Sequence, residues 1–413
     1  MSAVGETPRP AGRLAALRRS LDQPLAPYYL LLGASALLLT IGLMMVLSAS
    51  SVRSYRTFDN SYAIFLRQLT WVAIGLPAAF VASRLPRRFL RFLAWPAVLI
   101  ALVLMALVLS PLGYEVAGNR NWIGVGPLRI QPSEFAKLSM VLWAASVYAR
   151  KEHLLSDWRH AVVPVVPVLG LATGLVVLQG DLGTALVLFA IVLGMLWVVG
   201  APGKLFALAA LVAGTAALYL AATSPERRNR LLNFADPFKD FEGAGWQSAH
   251  GLFAMSSGGI FGKGISGSQQ KWGSLPEAHT DFIFAVLGEE LGLVGTLLVL
   301  VLFLTIAYAG VRLAMATDDA FVRFMTAGVV VWLMAQMMIN IGMVLALLPV
   351  IGIPLPLVSY GGSSLLPTLV ALGILIGFAR SEPAARAALK DRRRRGPGRG
   401  VSAPAVRSSR VGG

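Results

Sequence analysis

The densest group of ionisable residues in the sequence lies in the segment LPEAHTDFIFAVLGEELG. Glu277, His279 and Asp281 fall within five residues, directly before a long apolar run. A carboxylate at this place could cap the helix that the run predicts. It could instead act as a general base, if burial raised its pKa more than the helix dipole lowered it. On an ideal helix Glu289 lies about 80° around from Asp281 and about 12 Å deeper, whereas Glu290 cannot share its face.

A second pair of charges, Glu134 and Lys137, stands at the start of another apolar run. Residues three apart share a helix face, and Pro132 with Ser133 is typical of a helix start. A local ion pair would let this helix enter lipid. Alternatively, Lys137 would meet an anionic head group, since lysine is a compact positive charge suited to phosphate. Both interpretations stay open.

The segment NIGMVLALLPVIGIPLPLVSYGGSS, residues 340–364, combines three prolines and four glycines between two apolar runs. Irregular backbone near a membrane is tolerated only where it is buried in protein or lines a cavity. We expect it to line a cavity, where Ser359 and Tyr360 are candidates to bind substrate. It lacks the lysine and the preceding strand of a nucleotide-binding loop.

The elements that position these residues are predicted by the composition. Of the 413 residues 56% are hydrophobic and 14% charged, whereas a soluble domain carries roughly 25% charged residues. Apolar runs of about 18 or more residues predict membrane-spanning helices. We predict an all-α polytopic membrane protein with about ten transmembrane helices, at 28–50, 68–83, 92–112, 133–149, 161–179, 183–200, 204–222, 282–310, 322–346 and 364–380.

The distribution of basic residues predicts the orientation. Most Lys and Arg side chains lie in the terminal tails and in alternate short loops, which places both termini in the cytoplasm. The large loop 223–281, between helices seven and eight, is then extracytoplasmic, and its aromatic content predicts partly ordered structure. The predicted domains are a basic tail (1–27), a membrane domain (28–380) and a disordered basic tail (381–413). The net charge of +16 sits beside the spans, so we expect no nucleic-acid partner.

Several kinds of site are excluded by residue type. The sequence has no cysteine, which rules out disulfides, thiol chemistry and cysteine-bound metals. The four histidines are scattered without the spacing of metal ligands. No metal-binding residues are therefore predicted.

Three stretches together resemble one protein family. They are QPSEFAKL at 131–138, LPEAHTDFIFAVLGEELG at 275–292 and GIPLPLVSYGGSS at 352–364. The combination is similar to the SEDS family (shape, elongation, division and sporulation), represented by FtsW and RodA. The resemblance covers residues 28–380. VLSASS at 46–51 and the stretch PLPLVSYGGSS are more similar to FtsW, the division member, than to RodA, the elongation member.

The resemblance implies a peptidoglycan glycosyltransferase whose substrate is lipid II, a disaccharide-pentapeptide on undecaprenyl diphosphate. Asp281 matches the family's essential aspartate and would take the proton from the acceptor's 4-hydroxyl. Lys137, with Glu134 and Gln131, would contact the diphosphate or tune Asp281. The diphosphate needs neutralisation by Lys or Arg, or by a divalent cation, Mg²⁺ or Mn²⁺. The full set of candidate substrate-binding residues is Lys137, Glu134, Gln131, Arg120, His279, Glu277, Glu289, Ser359 and Tyr360.

Two departures from the family pattern affect the outer segments. The family usually has an arginine directly before the tryptophan, whereas here Asn121 precedes Trp122 and the arginine is Arg120, one place earlier. The role of Arg120 is therefore open. The turn that holds Asp181 reads QGD where QPD is usual, and Asp beside Gly is ordinary turn chemistry.

Two other classes of function compete with the enzyme. A lipid II flippase would keep charges near the midplane, which Glu289 and Glu290 could supply. A non-catalytic division scaffold would act through its tails and apolar faces. The resemblance also implies a class B penicillin-binding protein as the cross-linking partner, other division proteins, and a place in the bacterial cytoplasmic membrane at the division septum.

Overall fold

A computed structural model describes residues 23–116, 119–125, 128–223, 236–243 and 245–395. The described chain is mainly helical, which confirms the predicted fold class. Its helices are α1 (Ala26–Phe58), α2 (Ala63–Ala82), α3 (Arg87–Val108), α4 (Pro132–Arg150), α5 (Trp158–Leu178), α6 (Leu182–Val198), α7 (Gly203–Thr223), α8 (Trp246–Ser257), α9 (Ile283–Ala316), α10 (Ala320–Val344), α11 (Gly362–Ser381) and α12 (Pro383–Arg395).

Each of the ten predicted spans falls on one of these helices. In the described chain α1, α2, α3, α5, α9, α10 and α11 are long and apolar enough to cross a membrane. α6 and the first part of α7 are shorter apolar helices, and α4 begins with two buried charges, Glu134 and Lys137. The protein is a multi-pass membrane protein, while the count of ten crossings and the orientation stay predictions.

The segment between α3 and α4, which is predicted to be extracytoplasmic, forms a small sheet that an all-α prediction lacks. β1 (Gly113–Val116), β2 (Asn119–Val125) and β3 (Leu128–Ile130) pair antiparallel in the order β1-β2-β3. Tyr114 lies opposite Trp122, the kind of aromatic cross-strand pair that stabilises sheets. The backbone N–H of Arg120 donates to the Gln179 carbonyl at 3.1 Å, which attaches the sheet to the end of α5.

The segments predicted to be cytoplasmic meet at one end of the helices. Asp319, before α10, lies 3.2 Å from the Arg87 and 2.7 Å from the Arg91 guanidinium nitrogens of α3. Arg87 also pairs with Glu382, at the end of α11. These contacts agree with the predicted alternation of helix directions.

The tail after residue 380 is partly helical, so the predicted disorder of 381–413 is wrong for α12. Pro383 is the first residue of α12, a position that proline suits. Alanine, lysine and arginine, which follow it, are strong helix formers. Residues 1–22 and 396–413, which hold the rest of the predicted tails, lie outside the described residues.

α9 changes direction in its first part, at Gly292. Gly292 has φ 65° and ψ −162° inside an otherwise helical run, a conformation that glycine adopts at low cost. Four backbone hydrogen bonds join residues 259–264 to residues 289–294 across the break. The peptide groups freed by the break are therefore satisfied within the protein, as a membrane environment requires.

Candidate functional site around Asp281

Asp281 lies on the chain just before α9, where its backbone is held on two sides. Phe282 occupies the cap position of α9 and no side chain caps the helix, so the capping interpretation of Asp281 is wrong. The Asp281 carbonyl accepts a hydrogen bond from Asn340 Nδ2 at 2.8 Å. The Tyr360 N–H donates to the His279 carbonyl at 2.9 Å. Asp281 is therefore fixed between α10 and the segment before α11.

Two amide side chains of α10 form hydrogen bonds to the irregular segment that follows this helix and faces Asp281. Asn340 Nδ2 donates to the Ile353 carbonyl at 2.7 Å, and Gln336 Nε2 donates to the Pro354 carbonyl at 2.9 Å. These bonds place Gly352, with φ 71°, so close that an added Cβ would lie 3.4 Å from Asp281 Oδ2. The predicted cavity-lining segment thus packs directly against the carboxylate.

Lys137 lies beneath this segment and is 1% exposed. Its Nζ is 2.7 Å from Glu134 Oε2, 3.0 Å from Gln336 Oε1 and 5.6 Å from the centroid of the Trp332 ring. The local ion pair is the arrangement observed. Because Gln336 also holds Pro354, the geometry favours the tuning role of Lys137 over direct contact with a diphosphate.

Asp181 joins α6, α4 and the outer sheet. Its Oδ1 accepts from the Thr184 N–H at 2.9 Å, which caps α6 as the turn chemistry predicts. Its Oδ2 accepts from Gln131 Nε2 at 2.7 Å and from Asn121 Nδ2 at 3.0 Å. Gln131 is therefore occupied by a structural contact. Arg120 is exposed and donates to the Ser110 carbonyl at 2.7 Å, so Asn121, not Arg120, reaches this cluster.

Glu277, His279 and Tyr360 form one side of the site. Glu277 Oε1 lies 2.8 Å from Arg53 Nη1, and both side chains are partly exposed. The ring centroids of His279 and Tyr360 are 5.5 Å apart. Arg53 was not predicted, because the first span was expected to end at residue 50, whereas α1 continues for two more turns.

Ser359 is buried and both of its hydrogen-bonding functions are used by backbone. Its Oγ donates to the Thr280 carbonyl and accepts from the Leu355 N–H, each at 2.7 Å. The contacts indicate a residue that shapes the segment rather than one that touches substrate, so the structure departs here from the expectation.

The pKa values of Asp281, Glu277 and His279 are set by burial and by neighbouring charges. Burial raises the pKa of Asp281 to about 7, and the negative charges of Glu277 and Asp181 add to the effect. Burial also acts against ionisation of Glu277, but hydrogen bonds from Arg53 and Thr280 bring its pKa below the ordinary value. Burial lowers the pKa of His279 to about 4. At neutral pH Glu277 is therefore charged and His279 is neutral, while Asp281 is partly protonated.

Glu289 and Glu290 belong to a different cluster, fully buried under the outer loop. Glu289 accepts from Lys263 Nζ at 2.8 Å and Ser268 Oγ at 2.6 Å. Glu290 accepts from Lys271 Nζ at 2.9 Å and from Ser48 Oγ of α1 at 2.6 Å. Glu289, a candidate substrate-binding residue in the sequence, is therefore held by the loop and not grouped with Asp281. Asp281 precedes the helix, so the ideal helical angle does not apply to it.

Gln336 and Asn340 were not predicted as site residues, although the sequence contains a pattern that indicates them. Gln336 and Asn340 are polar, stand four apart in an apolar span, and are 1% and 0% exposed. Polar residues at that spacing share a helix face, and polar side chains inside membrane spans are expected to meet partners. Within the described residues, no three His, Asp or Glu side chains are grouped so that they could hold a metal ion.

Comparison with known proteins connects this geometry to one family. The family model of FtsW, RodA and SpoVE, described as "Cell cycle protein", matches residues 29–383. The probable peptidoglycan glycosyltransferase FtsW of Mycobacterium tuberculosis is 41% identical over 373 residues, covering 90% of this chain and 71% of that protein. The stage V sporulation protein E of Bacillus subtilis is 39% identical over 356 residues, covering 86% and 97%.

Two solved structures share the fold. A chain from the study "Structural coordination of polymerization and crosslinking by a peptidoglycan synthase complex" has a TM-score of 0.70 at 32% identity, covering 85% of this chain and 96% of that one. The rod shape determining protein RodA of Thermus thermophilus has a TM-score of 0.62 at 30% identity, covering 86% and 97%. The chain belongs to the SEDS family of FtsW, RodA and SpoVE membrane proteins.

Proposed function

We propose that this protein is a peptidoglycan glycosyltransferase that polymerises lipid II at the outer face of the cytoplasmic membrane during cell division. The observation that carries the proposal is Asp281, whose carboxylate lies against Gly352 and whose pKa burial raises to about 7. A general base works best when its pKa lies near the operating pH. The relatives named peptidoglycan glycosyltransferase FtsW support the same activity.

The reaction assigns Asp281 one proton transfer. The carboxylate accepts the proton of the acceptor sugar's 4-hydroxyl while that oxygen attacks the anomeric carbon of the donor sugar. The bond between the anomeric carbon and the diphosphate oxygen breaks, and undecaprenyl diphosphate leaves with the bonding electrons. The proton then passes from Asp281 to solvent, which restores the base.

The leaving diphosphate needs positive charge at head-group level. Arg53 is half exposed beside Glu277, and Arg67 is exposed and close enough to Tyr360 to influence its titration. We assign charge neutralisation to these two arginines, since Lys137 is buried. A divalent cation, Mg²⁺ or Mn²⁺, would share this role, and titrating either ion into chelator-treated protein measures its share.

We further propose a class B penicillin-binding protein as partner and the division septum as the place of action. The sequence has no pattern of transpeptidase motifs, so cross-linking falls to another chain. The similarity to a chain of a peptidoglycan synthase complex supports such an assembly.

The structure supports a flippase less well than an enzyme, because the acidic residues that a flippase would use are buried and paired. Glu289 and Glu290 were the residues that favoured it, and both are 0% exposed with lysine partners. Carboxylates held in this way stabilise the loop against α9 and α1. A scaffold that lacks activity is also supported less well, because the relatives are named peptidoglycan glycosyltransferase.

The test is polymerisation of labelled lipid II by the purified chain, with and without a candidate partner, comparing wild type with Asp281→Asn. Asp59→Asn is a matched control, because Asp59 is an exposed aspartate at the end of α1 with φ 52°, a conformation that asparagine tolerates. We expect Asp281→Asn to abolish glycan chains and Asp59→Asn to keep them. Glycan chains made by Asp281→Asn would refute the assignment of the base. A wild type that makes none with its partner would refute the enzyme itself.

A further inference from the structure

A groove opens between α1, α2 and α11 at the end of the molecule opposite Asp281. It encloses about 260 Å³, and its walls are mainly apolar. On α1 it runs from Tyr28 to Leu39, a rise of about 16 Å at 1.5 Å per residue. That length is about half of the hydrocarbon core, which is about 30 Å thick. The groove therefore matches one leaflet, the cytoplasmic one in the predicted orientation.

Two arginines stand at the mouth of this groove. Arg84, which is exposed, and Arg380, which is half-buried, are both among its lining residues. The guanidinium of Arg84 lies over the Phe80 ring at 4.7 Å, and Arg380 Nη2 is 3.5 Å from the Ser83 carbonyl. Neither arginine is paired with a carboxylate among the described residues. The mouth of the groove thus carries two positive charges beside its apolar walls.

We propose that this groove binds an anionic phospholipid of the cytoplasmic leaflet. The phosphate sits between Arg84 and Arg380, and one acyl chain lies along the apolar walls. Basic pockets between membrane helices on the cytoplasmic side are known to recognise anionic head groups. α11 has 20 residues and is therefore about 30 Å long, so this site is separate from Asp281 and independent of the proposed reaction.

The experiment uses native mass spectrometry of the purified full chain with dioleoyl phosphatidylglycerol and dioleoyl phosphatidylcholine, which differ only in the head group. We expect wild type to retain phosphatidylglycerol in preference. In the double variant Arg84→Gln/Arg380→Gln this preference should fall at least about tenfold, since each basic residue contributes about 1 kcal/mol. Arg88→Gln, an exposed arginine of the same end outside the groove, should leave it unchanged.

A second pair of variants tests whether the lipid occupies the apolar part of the groove. Ala36 lines the groove and is exposed, whereas Leu37 is exposed on the same helix outside it. Ala36→Trp should reduce retention of both lipids, and Leu37→Trp should not. Size-exclusion profiles equal to wild type show that each variant is folded.

Three outcomes would overturn the proposal. The first is equal retention of the two lipids by wild type. The second is a loss in Arg88→Gln as large as in the double variant. The third is displacement of phosphatidylglycerol by equimolar undecaprenyl phosphate, which would assign the groove to an isoprenoid carrier instead.

Discussion

The proposed role of a single residue, Asp281, depends on how closely the backbone surrounds its carboxylate. The segment PEAHTD indicated an unusual ionisable group from sequence alone, and the family resemblance identified its aspartate as the base. Whether burial or the helix dipole controlled its pKa could not be predicted. Asp281 stands before the helix, and its environment is built by residues 59 and 71 positions away, Asn340 and Gly352.

Gly352→Ala tests this close approach. The φ of 71° at Gly352 costs an alanine about 1 kcal/mol, and the new methyl group would lie in van der Waals contact with Asp281 Oδ2, at 3.4 Å, where it covers part of the carboxylate. We expect polymerisation to fall severalfold more than the stability loss explains. Gly200→Ala is the matched control, because Gly200 has φ 78° with nothing within 4 Å of an added Cβ. Equal activity of the two alanine variants in the lipid II assay would contradict the arrangement.

At the scale of elements, the helices follow from apolar runs, whereas the sheet and the break in α9 do not. β1, β2 and β3 are short and depend on attachment to α5, a contact between residues far apart in sequence. The break at Gly292 is stabilised by the loop 259–264, so a single helix was the natural prediction. In both cases tertiary contacts override local preference.

The Lys137–Glu134 pair supports the segment that holds Pro354, through Gln336. We therefore expect a second substitution to compensate for the loss of Lys137. Lys137→Met leaves Glu134 buried without its cation, and loss of one partner of a buried pair costs about 3–5 kcal/mol. We expect a lower thermal unfolding temperature for Lys137→Met and recovery of it in Lys137→Met/Glu134→Leu.

Activity separates the two roles weighed for Lys137. If Lys137 acts only by neutralising Glu134 within the fold, lipid II polymerisation should recover in part together with stability in the double variant. Recovery of the unfolding temperature with no recovery of polymerisation would instead show that the ammonium group itself is needed, either to hold Gln336 or to contact the diphosphate.

For the molecule as a whole, polymerisation of lipid II at the outer face of the membrane requires Asp281 to face away from the cytoplasm. The absence of cysteine from the sequence makes single introduced thiols specific reporters. Asp59→Cys and His153→Cys are both exposed positions, predicted to lie outside and inside. A membrane-impermeant maleimide applied to intact cells should label Asp59→Cys alone. Labelling of His153→Cys alone would reverse the orientation and place Asp281 on the wrong side for lipid II polymerisation.

The pH–rate profile of polymerisation measures whether the carboxylate of Asp281 is the base. Because the pKa of Asp281 is raised to about 7, the base is protonated below that value, so the rate should rise with pH through a midpoint near 7. Glu277 contributes to the raised pKa, so Glu277→Gln should move the midpoint to lower pH. A wild-type rate that is flat from about pH 5.5 to 8 would contradict the account, and so would an unchanged midpoint in the variant.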